Sequence, residues 1–466
     1  MEDLEKKIKK LSLKQGAVKI LINSIYGAFG NKWFYFYNPD IAQSITLQGQ
    51  DLIKFSIKAV NHYFKERWHL DHELHKILGV EGYEIEKIEE DAAIYTDTDS
   101  IYVQFNSALR SIKGLELESE EALKMCIAID EHRLAGYFDT CFKKWSALYN
   151  TDNRQTFKLE NLSESGFWIK KKNYALRVVY EPNPKQELFT KDEKYLLIKG
   201  LEPIKSSYPI WARNHQTALI EYLLDNGRSV DLEKDLIPKL EEIKSEFMGL
   251  DPNEISMNFN VRAYNKFVQS EEKCLLKKGA TPYPKAVMHH NHLIIKNRLE
   301  GRYPKIREGG KVRFYYCLPN DLELDVFAYY PGEYPEEIAP PMDMNQQFFI
   351  LIVEPVNRIL GAIGLNQIDI GLRRAVEFKT ARSKKPLTEE QLYPLHVVDS
   401  VTLEHEEVDK KFWKIIGNPD AEIEEEIFDE YLSTITKYGL NTVVMINKNL
   451  QPYLKRMRKK LQEAEE

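Results

Sequence analysis

This sequence contains little cysteine, no long apolar runs and no excess of positive charge. Only four cysteines occur in 466 residues, none of them in a CxxC pair, which argues against a zinc ribbon and fits a reducing compartment. No run of about 18 apolar residues occurs, and the charged N-terminal residues lack the apolar segment of a signal peptide. We therefore predict a cytoplasmic protein that does not span a membrane.

The net charge is −7, from 72 acidic and 65 basic residues. A protein held to nucleic acid by its bulk charge would be basic, so any affinity for DNA must come from local basic patches. The composition is that of an ordinary globular protein, and the length leaves room for roughly two to four domains.

Hydrophobic spacing predicts a chain of mixed helices and strands. The absence of proline and the helical spacing of apolar residues predict one amphipathic helix from Glu2 to about Ala28. An apolar run, a polar turn and an alternating pattern predict a β-hairpin over residues 92–105. Further helical patterns cover residues 41–64, 119–149, 209–248 and 344–360, and strand patterns cover residues 156–199 and 312–316.

The turn of the predicted hairpin carries two carboxylates, Asp97 and Asp99. Residues i and i+2 of an extended or tightly turned backbone point to the same face, so both carboxylates would approach one point. Mg²⁺ is bound in proteins by one or two carboxylates together with substrate phosphates and water. The pattern thus indicates a phosphoryl-transfer site, although a polar β-turn without chemistry is the alternative interpretation.

One face of the N-terminal helix carries Lys19, Asn23 and Tyr26, which follow each other at i, i+4 and i+7. A lysine suits a triphosphate, an amide can donate to a phosphate oxygen, and a phenol ring can lie against a base or sugar. A solvated polar face is the alternative. Gly27 favours the nucleotide site, because a residue without Cβ lets a ligand or another backbone approach the ring.

Three lysines at residues 170–172 stand between the aromatic residues Trp168 and Tyr174. Cations interleaved with rings suit a phosphate backbone that has its bases alongside. Lysines also commonly protect the edge of a sheet, and this interpretation stays open.

In their order along the chain, the helix, the hairpin and the lysine segment resemble motifs of family B DNA polymerases. The resemblance is greatest to the replicative polymerases of large tailed phages. The fingers motif KxxxNSxYG stands as Lys19–Gly27, and the palm motif YGDTDS as Tyr95–Ser100, with Thr96 in place of glycine. The KKRY-like motif stands as residues 171–174, with Asn173 in place of arginine. We expect Thr96 to stiffen the turn and Asn173 to remove a cation from the primer grip.

The resemblance implies an α+β fold, with a polymerase palm of antiparallel sheet and helices, part of a helical fingers domain and a mixed, mostly helical thumb. The implied boundaries are residues 1–31 for the second fingers helix, 32–208 for the palm and 209–365 for the thumb. Residues 366–466 would form a C-terminal extension of unknown role.

The resemblance also implies the substrates, which are primer-template DNA and deoxynucleoside triphosphates. Lys19 and Asn23 would contact the incoming triphosphate, and Tyr26 would lie beneath the nascent base pair. The residues expected to hold the primer end in the minor groove are Lys171, Lys172 and Tyr174.

For the chemistry, the resemblance implies two Mg²⁺ ions. Asp99 would ligate both of them, with Asp97 as a supporting catalytic neighbour. Glu202 is a further candidate near the metals.

Two parts of a family B polymerase are absent from the sequence. These are the palm motif DxxSLYP, whose aspartate is the second metal ligand, and the exonuclease that precedes it. Two-metal phosphoryl transfer needs carboxylates that bridge a pair of cations, which Asp99 alone does not supply. We therefore expect a split polymerase, in which an N-terminal chain provides the exonuclease, the first fingers helix and the missing aspartate. That chain would dock against residues 1–30 and the palm sheet. A sliding clamp is a further candidate partner, and the location would be the cytoplasm of a bacterial host.

Two other functions remain as alternatives. One is a non-catalytic DNA-binding or scaffold subunit derived from a polymerase, although a scaffold has no need of Lys19, Asn23 or Asp99. The other is a metalloprotein. Its candidate ligands form two trios, His69, His72 and His75 and then His289, His290 and His292. The first trio is more simply explained as surface histidines. No HExxH motif is present.

Overall fold

The computed structural model describes residues 2–182, 187–369 and 396–398. The α+β class is confirmed, since helices alternate with several small sheets along the chain. Within these ranges no helix is long and apolar enough to cross a membrane. The predicted C-terminal extension, residues 366–466, lies almost entirely outside the described residues.

The chain divides into two compact units. Of the described residues, the first unit contains those up to Glu164 and those between Val178 and Tyr195, and the second contains Ser165–Arg177 and those from Leu196 onward. Each unit has a hydrophobic core of its own. This division into two units does not test the predicted boundaries of the fingers helix, the palm and the thumb. Those boundaries stay a prediction.

The first unit starts with two long helices, α1 (Glu2–Phe29) and α2 (Pro39–His62), both close to their predicted bounds. Asn38 caps α2 because its Oδ1 accepts a hydrogen bond from the amide of Ile41 at 3.1 Å, and Pro39 fits the first helical position. The helix continues into a π-helical turn, Tyr63–Arg67. The remaining elements of this unit are α3 (His72–Ile77), β1 (Ala93–Asp97), β2 (Ser100–Val103), α4 (Asn106–Arg110), α5 (Ser119–Ile129), a π-helical turn (Asp130–Leu134) and α6 (Ala135–Leu148).

The core of the first unit is largely aromatic, with Tyr63, Phe64, Trp68 and Phe142 fully buried. Asp71 lies beside this core, 2.6 Å and 2.7 Å from the guanidinium nitrogens of Arg133, and it accepts a hydrogen bond from the Tyr63 hydroxyl at 2.9 Å. Burial, followed by the nearby carboxylate of Asp71, raises the pKa of Tyr63. This cluster joins the first π-helical turn, the N-terminal end of α3 and the second π-helical turn.

A three-stranded sheet in the order β3-β4-β5 follows, formed by Leu162–Lys170, Asn173–Tyr180 and Tyr195–Lys199. The turn between β3 and β4 consists of Lys171 and Lys172. These strands confirm the predicted strand-rich region, except that its first residues, up to Asn161, are not in a strand.

The second unit combines helices with another three-stranded sheet, in which β9 (Lys311–Tyr316) lies between β10 (Val326–Tyr329) and β6 (Met257–Asn260). All three strands run antiparallel to their neighbours, and helix α11 (Pro282–Lys296) packs against β10, whose four residues are all buried. The elements after β5 are α7 (Ile210–Asn226), a π-helical turn (Leu232–Leu236), α8 (Ile237–Phe247), α9 (Pro252–Ile255), β6 (Met257–Asn260), α10 (Tyr264–Phe267), β7 (Val268–Ser270), β8 (Leu275–Leu276), α11 (Pro282–Lys296), β9 (Lys311–Tyr316), β10 (Val326–Tyr329), α12 (Met344–Phe348), a π-helical turn (Phe349–Val353), α13 (Glu354–Ile363), β11 (Gln367–Asp369) and β12 (His396–Val398). The predicted helices over 209–248 and 344–360 and the predicted strand at 312–316 are therefore confirmed.

Candidate active site

The predicted hairpin is formed by β1 and β2, which pair antiparallel. Asp97 faces Ser100 in the last register pair, so Thr98 and Asp99 form a two-residue loop. Tyr95 and Tyr102 form a cross-strand pair with ring centroids 5.4 Å apart, which stabilises the hairpin behind the turn. The turn thus displays the carboxylates, as the sequence predicts.

The backbone of this turn is strained at Thr98. Its φ is +58°, a left-handed conformation that a β-branched residue rarely adopts. The amide of Asp99 donates to the carbonyl of Asp97 at 2.6 Å, and the Thr98 hydroxyl donates to the Asp97 carboxylate at 3.1 Å. Such strain persists only where the surroundings impose it, and it is frequent at functional sites.

Thr96 does not lie in the turn itself. It pairs with Ile101 inside the hairpin, two residues before the strained position. Thr98 is the residue with the unusual backbone, and the expectation that Thr96 stiffens the turn stays a prediction. Only the tertiary structure identifies Thr98, since Thr-Asp-Thr-Asp is also compatible with an unstrained turn.

The two aspartates differ in their surroundings. Asp97 is half-buried and accepts the hydrogen bond from Thr98, whereas Asp99 is exposed. Within the described residues, the Asp99 carboxylate accepts no hydrogen bond and forms no ion pair, so its oxygens can bind a cation. No group of three or more His, Cys, Asp or Glu residues in the described ranges can hold a metal by itself. The role of Asp99 as a metal ligand therefore stays a prediction.

The nucleotide-binding candidates on α1 share one exposed helix face. Lys19, Asn23 and Tyr26 are all exposed, and the helix geometry places them on the same side. Helix α2 packs against α1 and also against both strands of the hairpin. Its Asn61 accepts a hydrogen bond from the amide of Ala93 at 2.9 Å, which fixes the start of β1. Helix α2 therefore connects α1, which carries the nucleotide-binding candidates, to the hairpin that carries the two aspartates.

The lysine turn between β3 and β4 projects Lys171 and Lys172 to solvent, whereas Tyr174 is only 3% exposed. The centroid of the Tyr174 ring lies 6.4 Å from that of the Trp168 ring. Contact of the two lysines with a primer stays a prediction. The same holds for Tyr174, whose ring is covered by protein.

Two residues outside the lysine pair, Asn173 and Gly200, hold this turn. Lys172 has a φ of +61°, and the Asn173 side-chain amide donates to the carbonyl of Lys171 at 3.0 Å. Gly200 has a φ of +66°, and a Cβ added there would lie 2.1 Å from the carbonyl oxygen of Lys172. Asn173, which stands in place of the family's arginine, thus closes the turn, and only glycine fits at position 200.

The substitution Gly200→Ala is expected to displace the lysine turn, because the new Cβ cannot coexist with the Lys172 carbonyl. We expect affinity for a primer-template duplex to fall about tenfold and stability to fall by about 2 kcal/mol. Fluorescence anisotropy and urea unfolding measure the two effects. Gly332→Ala is the matched control, since Gly332 has a φ of +81° but no atom within 4 Å of the added Cβ. Equal losses of affinity in both variants would contradict a specific role for Gly200.

Glu202 lies at the start of a short 3₁₀ turn in the second unit and is buried. Its carboxylate is 2.8 Å from the Lys205 ammonium and 2.9 Å from the Arg358 guanidinium. Two cations already compensate this buried charge. The suggested role of Glu202 near the metals gains no support from this pairing.

The histidine trios do not form metal sites among the described residues. In the second trio, the ring of His289 donates to the backbone carbonyl of Val326 at 2.9 Å, and the ring of His290 donates to the carbonyl of Pro304 at 3.2 Å. Burial lowers the pKa of both imidazoles to about 4, so they are neutral and must donate to these carbonyls. In the first trio, His75 is buried, so the interpretation of all three as surface residues is wrong for this one.

Comparison with known proteins identifies the group to which the chain is related. Residues 1–120, which include α1 and the carboxylate hairpin, match the model of DNA polymerase family B. This part of the chain is therefore similar to the family B DNA polymerases, as its motifs predict.

Relatives occur in phages and in cellular organisms. The DNA-directed DNA polymerase of Escherichia phage RB69 is 28% identical over 350 residues, which is 68% of this chain and 34% of the relative. The DNA-directed DNA polymerase of Enterobacteria phage T4 is 26% identical over 59% of this chain and 28% of its own length. DNA polymerase II of Escherichia coli is 25% identical over 48% of this chain and 23% of its own length. The chain thus spans about a third or less of the length of these relatives.

Proposed function

We propose that this chain is the C-terminal part of a DNA-directed DNA polymerase and acts in template-directed synthesis by two-metal nucleotidyl transfer. The observation that carries the proposal is the exposed carboxylate of Asp99 on a strained two-residue turn, within the segment that matches the family. The place of action would be the cytoplasm of a bacterial host, and a sliding clamp remains a predicted partner.

In the proposed reaction, the 3′-hydroxyl of a primer attacks the α-phosphorus of a deoxynucleoside triphosphate. A new phosphorus-oxygen bond forms, the bond to the β-phosphate oxygen breaks, pyrophosphate leaves and the hydroxyl proton passes to solvent. Two Mg²⁺ ions would supply charge stabilisation for the attacking and leaving oxygens. Asp99 offers the oxygen ligands that such hard cations prefer, and Asp97 holds the turn that presents it.

The side chains on α1 would position the substrate. Lys19 would neutralise the triphosphate, Asn23 would donate to one of its oxygens, and Tyr26 would bring its ring against the nascent base pair. Such catalysis consists mainly of orientation and electrostatic stabilisation, so exposed groups on a rigid helix suit it.

The site needs a second carboxylate, which we propose comes from a separate N-terminal chain that also carries the exonuclease and the first fingers helix. The surface of α1 supports a helical partner, because mainly apolar residues recur along it at alternating intervals of four and three residues. We call this row of residues the seam. The seam consists of Leu4, Ile8, Leu11, Gln15, Val18, Ile22 and Ile25. Every apolar member of this seam is exposed. This heptad spacing is typical of a helix that packs lengthwise against another helix.

Primer extension with Mg²⁺ and all four nucleotides tests the proposal. The chain is assayed alone and then with the candidate N-terminal chain, with Asp99→Ala as the control. We expect extension only in the mixture, and none with the variant. Full activity of the chain alone would mean that it contains its own second metal ligand. Tight DNA binding without extension in the mixture would favour the non-catalytic DNA-binding subunit instead.

A further inference from the structure

The strand that leads to the carboxylate turn is irregular at Ile94. Ala93 and Tyr95 pair with the consecutive residues 103 and 102 of β2, so β1 has one extra residue at this point. Ile94 is therefore a β-bulge, and its side chain is 45% exposed. A bulge bends its strand and increases the local twist, and bulges are frequent beside active sites, where they redirect side chains. The direction in which β1 leaves this bulge therefore determines where the turn lies.

The end of helix α2 binds the residues just before the bulge. The Asn61 side-chain oxygen accepts a hydrogen bond from the amide of Ala93 at 2.9 Å, across 32 positions of the chain. Lys65 lies in the π-helical turn that continues α2, and its ammonium is 2.8 Å from the carboxylate of Asp91. Such π-helical turns are frequent at functional sites. Two side chains from this helix end thus reach the start of β1.

These contacts differ in strength. The ion pair of Lys65 with Asp91 is largely exposed, and exposed ion pairs contribute little to stability. Gln104 also holds this region, because its amide donates to the carbonyl of Ala92 at 2.8 Å, but Gln104 directly follows β2 and belongs to the hairpin itself. The bond from Ala93 to Asn61 is partly buried, and a buried amide that loses its acceptor is costly. Asn61 is therefore the contact through which α2 fixes the bulge.

We propose that Asn61 is a positioning residue of the carboxylate turn. Its hydrogen bond holds Ala93 and so sets the direction in which β1 runs from the bulge toward Asp97 and Asp99. Strand β1 has only five residues, so a shift at its first residue is carried to its last. A displacement of about 1 Å at a catalytic group can cost about a hundredfold in rate. Asn61 acts through the backbone of β1, and the role of Asp99 as the metal ligand rests on the proposed function.

Amide hydrogen exchange of the full chain tests the hold on the hairpin without any measurement of activity. In Asn61→Leu the side chain keeps nearly its size but loses the acceptor, and we expect the amides of β1 and β2 to exchange about tenfold faster than in the wild type. Asn61→Asp keeps an acceptor oxygen at the same place and should exchange as the wild type does. Gln50→Leu is the control, since Gln50 is an exposed amide of the same helix. Unchanged exchange of the hairpin in Asn61→Leu would overturn the proposal. Equal acceleration in α6 would show a general loss of stability and would overturn it as well.

Primer extension by the two chains together tests the consequence for the chemistry. For Asn61→Leu we expect kcat to fall about tenfold or more and the Mg²⁺ concentration at half-maximal extension to rise about threefold or more, with KM for the primer-template unchanged. A residue that only stabilises the fold would lower the amount of active protein and leave the Mg²⁺ dependence as it is. Asn61→Asp should restore both quantities.

An unchanged Mg²⁺ dependence in Asn61→Leu, measured beside an active wild type, would overturn the positioning role. Inactivity of the wild-type mixture would count against the proposed function instead. In that case the exchange experiment still decides whether Asn61 holds the hairpin, because it needs neither the partner chain nor DNA.

Discussion

Replacing Asp99 with asparagine is expected to lower primer extension by the assembled polymerase about a thousandfold or more. The amide is isosteric but uncharged, so it cannot stabilise two cations as a carboxylate does, and a loss of several kcal/mol of transition-state stabilisation corresponds to such a factor. Asp99 is exposed, so the substitution should leave folding unchanged. Single-turnover extension of a labelled primer by the two chains together measures the effect.

Asp97→Asn is the matched comparison, since both residues belong to the same turn. Asp97 is half-buried and holds Thr98 through its carboxylate, and an asparagine oxygen can accept the same hydrogen bond. We therefore expect a loss of about tenfold, which corresponds to a small shift of the turn. Duplex binding should be unchanged in both variants. Equal losses of activity at the two positions would contradict the separate roles of a metal ligand and a supporting residue.

Lowering the pH from 7 to 5 is expected to destabilise the second unit by roughly 4 kcal/mol through two buried histidines. His289 and His290 are 1% and 2% exposed, and burial lowers the pKa of each to about 4. In the unfolded chain these imidazoles take up protons below about pH 6.5. The unfolded state thus binds more protons between about pH 6.5 and 4. Stability is complete above this window and decreases as the pH falls through it.

Hydrogen exchange of the amides of α11 and β10, corrected for the intrinsic pH dependence of exchange, measures this loss in the unit itself. His290→Asn should remove about half of the pH dependence, although it lowers stability at pH 7 as well. His132→Asn is the control, since His132 is exposed and should leave the pH dependence unchanged. A pH dependence that is the same in the His290 variant and in the wild type would exclude the buried imidazoles as its cause.

Much of the local structure could be predicted from the sequence because neighbouring residues determine it. The helix from Glu2 has no proline to interrupt it, and it ends at Phe29, close to the predicted Ala28. The hairpin that carries Asp97 and Asp99 follows from an alternating pattern on either side of a polar turn. The motifs at Lys19–Gly27 and Tyr95–Ser100 predicted the similarity to family B polymerases for the same reason, since each is a short run of adjacent residues.

Burial and pairing could not be predicted in this way, because they depend on residues far apart in the chain. Asp71 meets Arg133 across 62 positions, and Glu202 meets Arg358 from another part of its unit. The same holds for Gly200, which is irreplaceable only because the carbonyl of Lys172 lies against it.

The sequence by itself determined which helices and turns carry the candidate catalytic and binding residues, since periodicity and turn chemistry act over a few neighbouring positions. The tertiary structure alone decided that Thr98 is strained and that Tyr174 and the α11 histidines are buried. Exposure and backbone strain are set by the packing of distant segments, and this packing is not encoded in any local pattern.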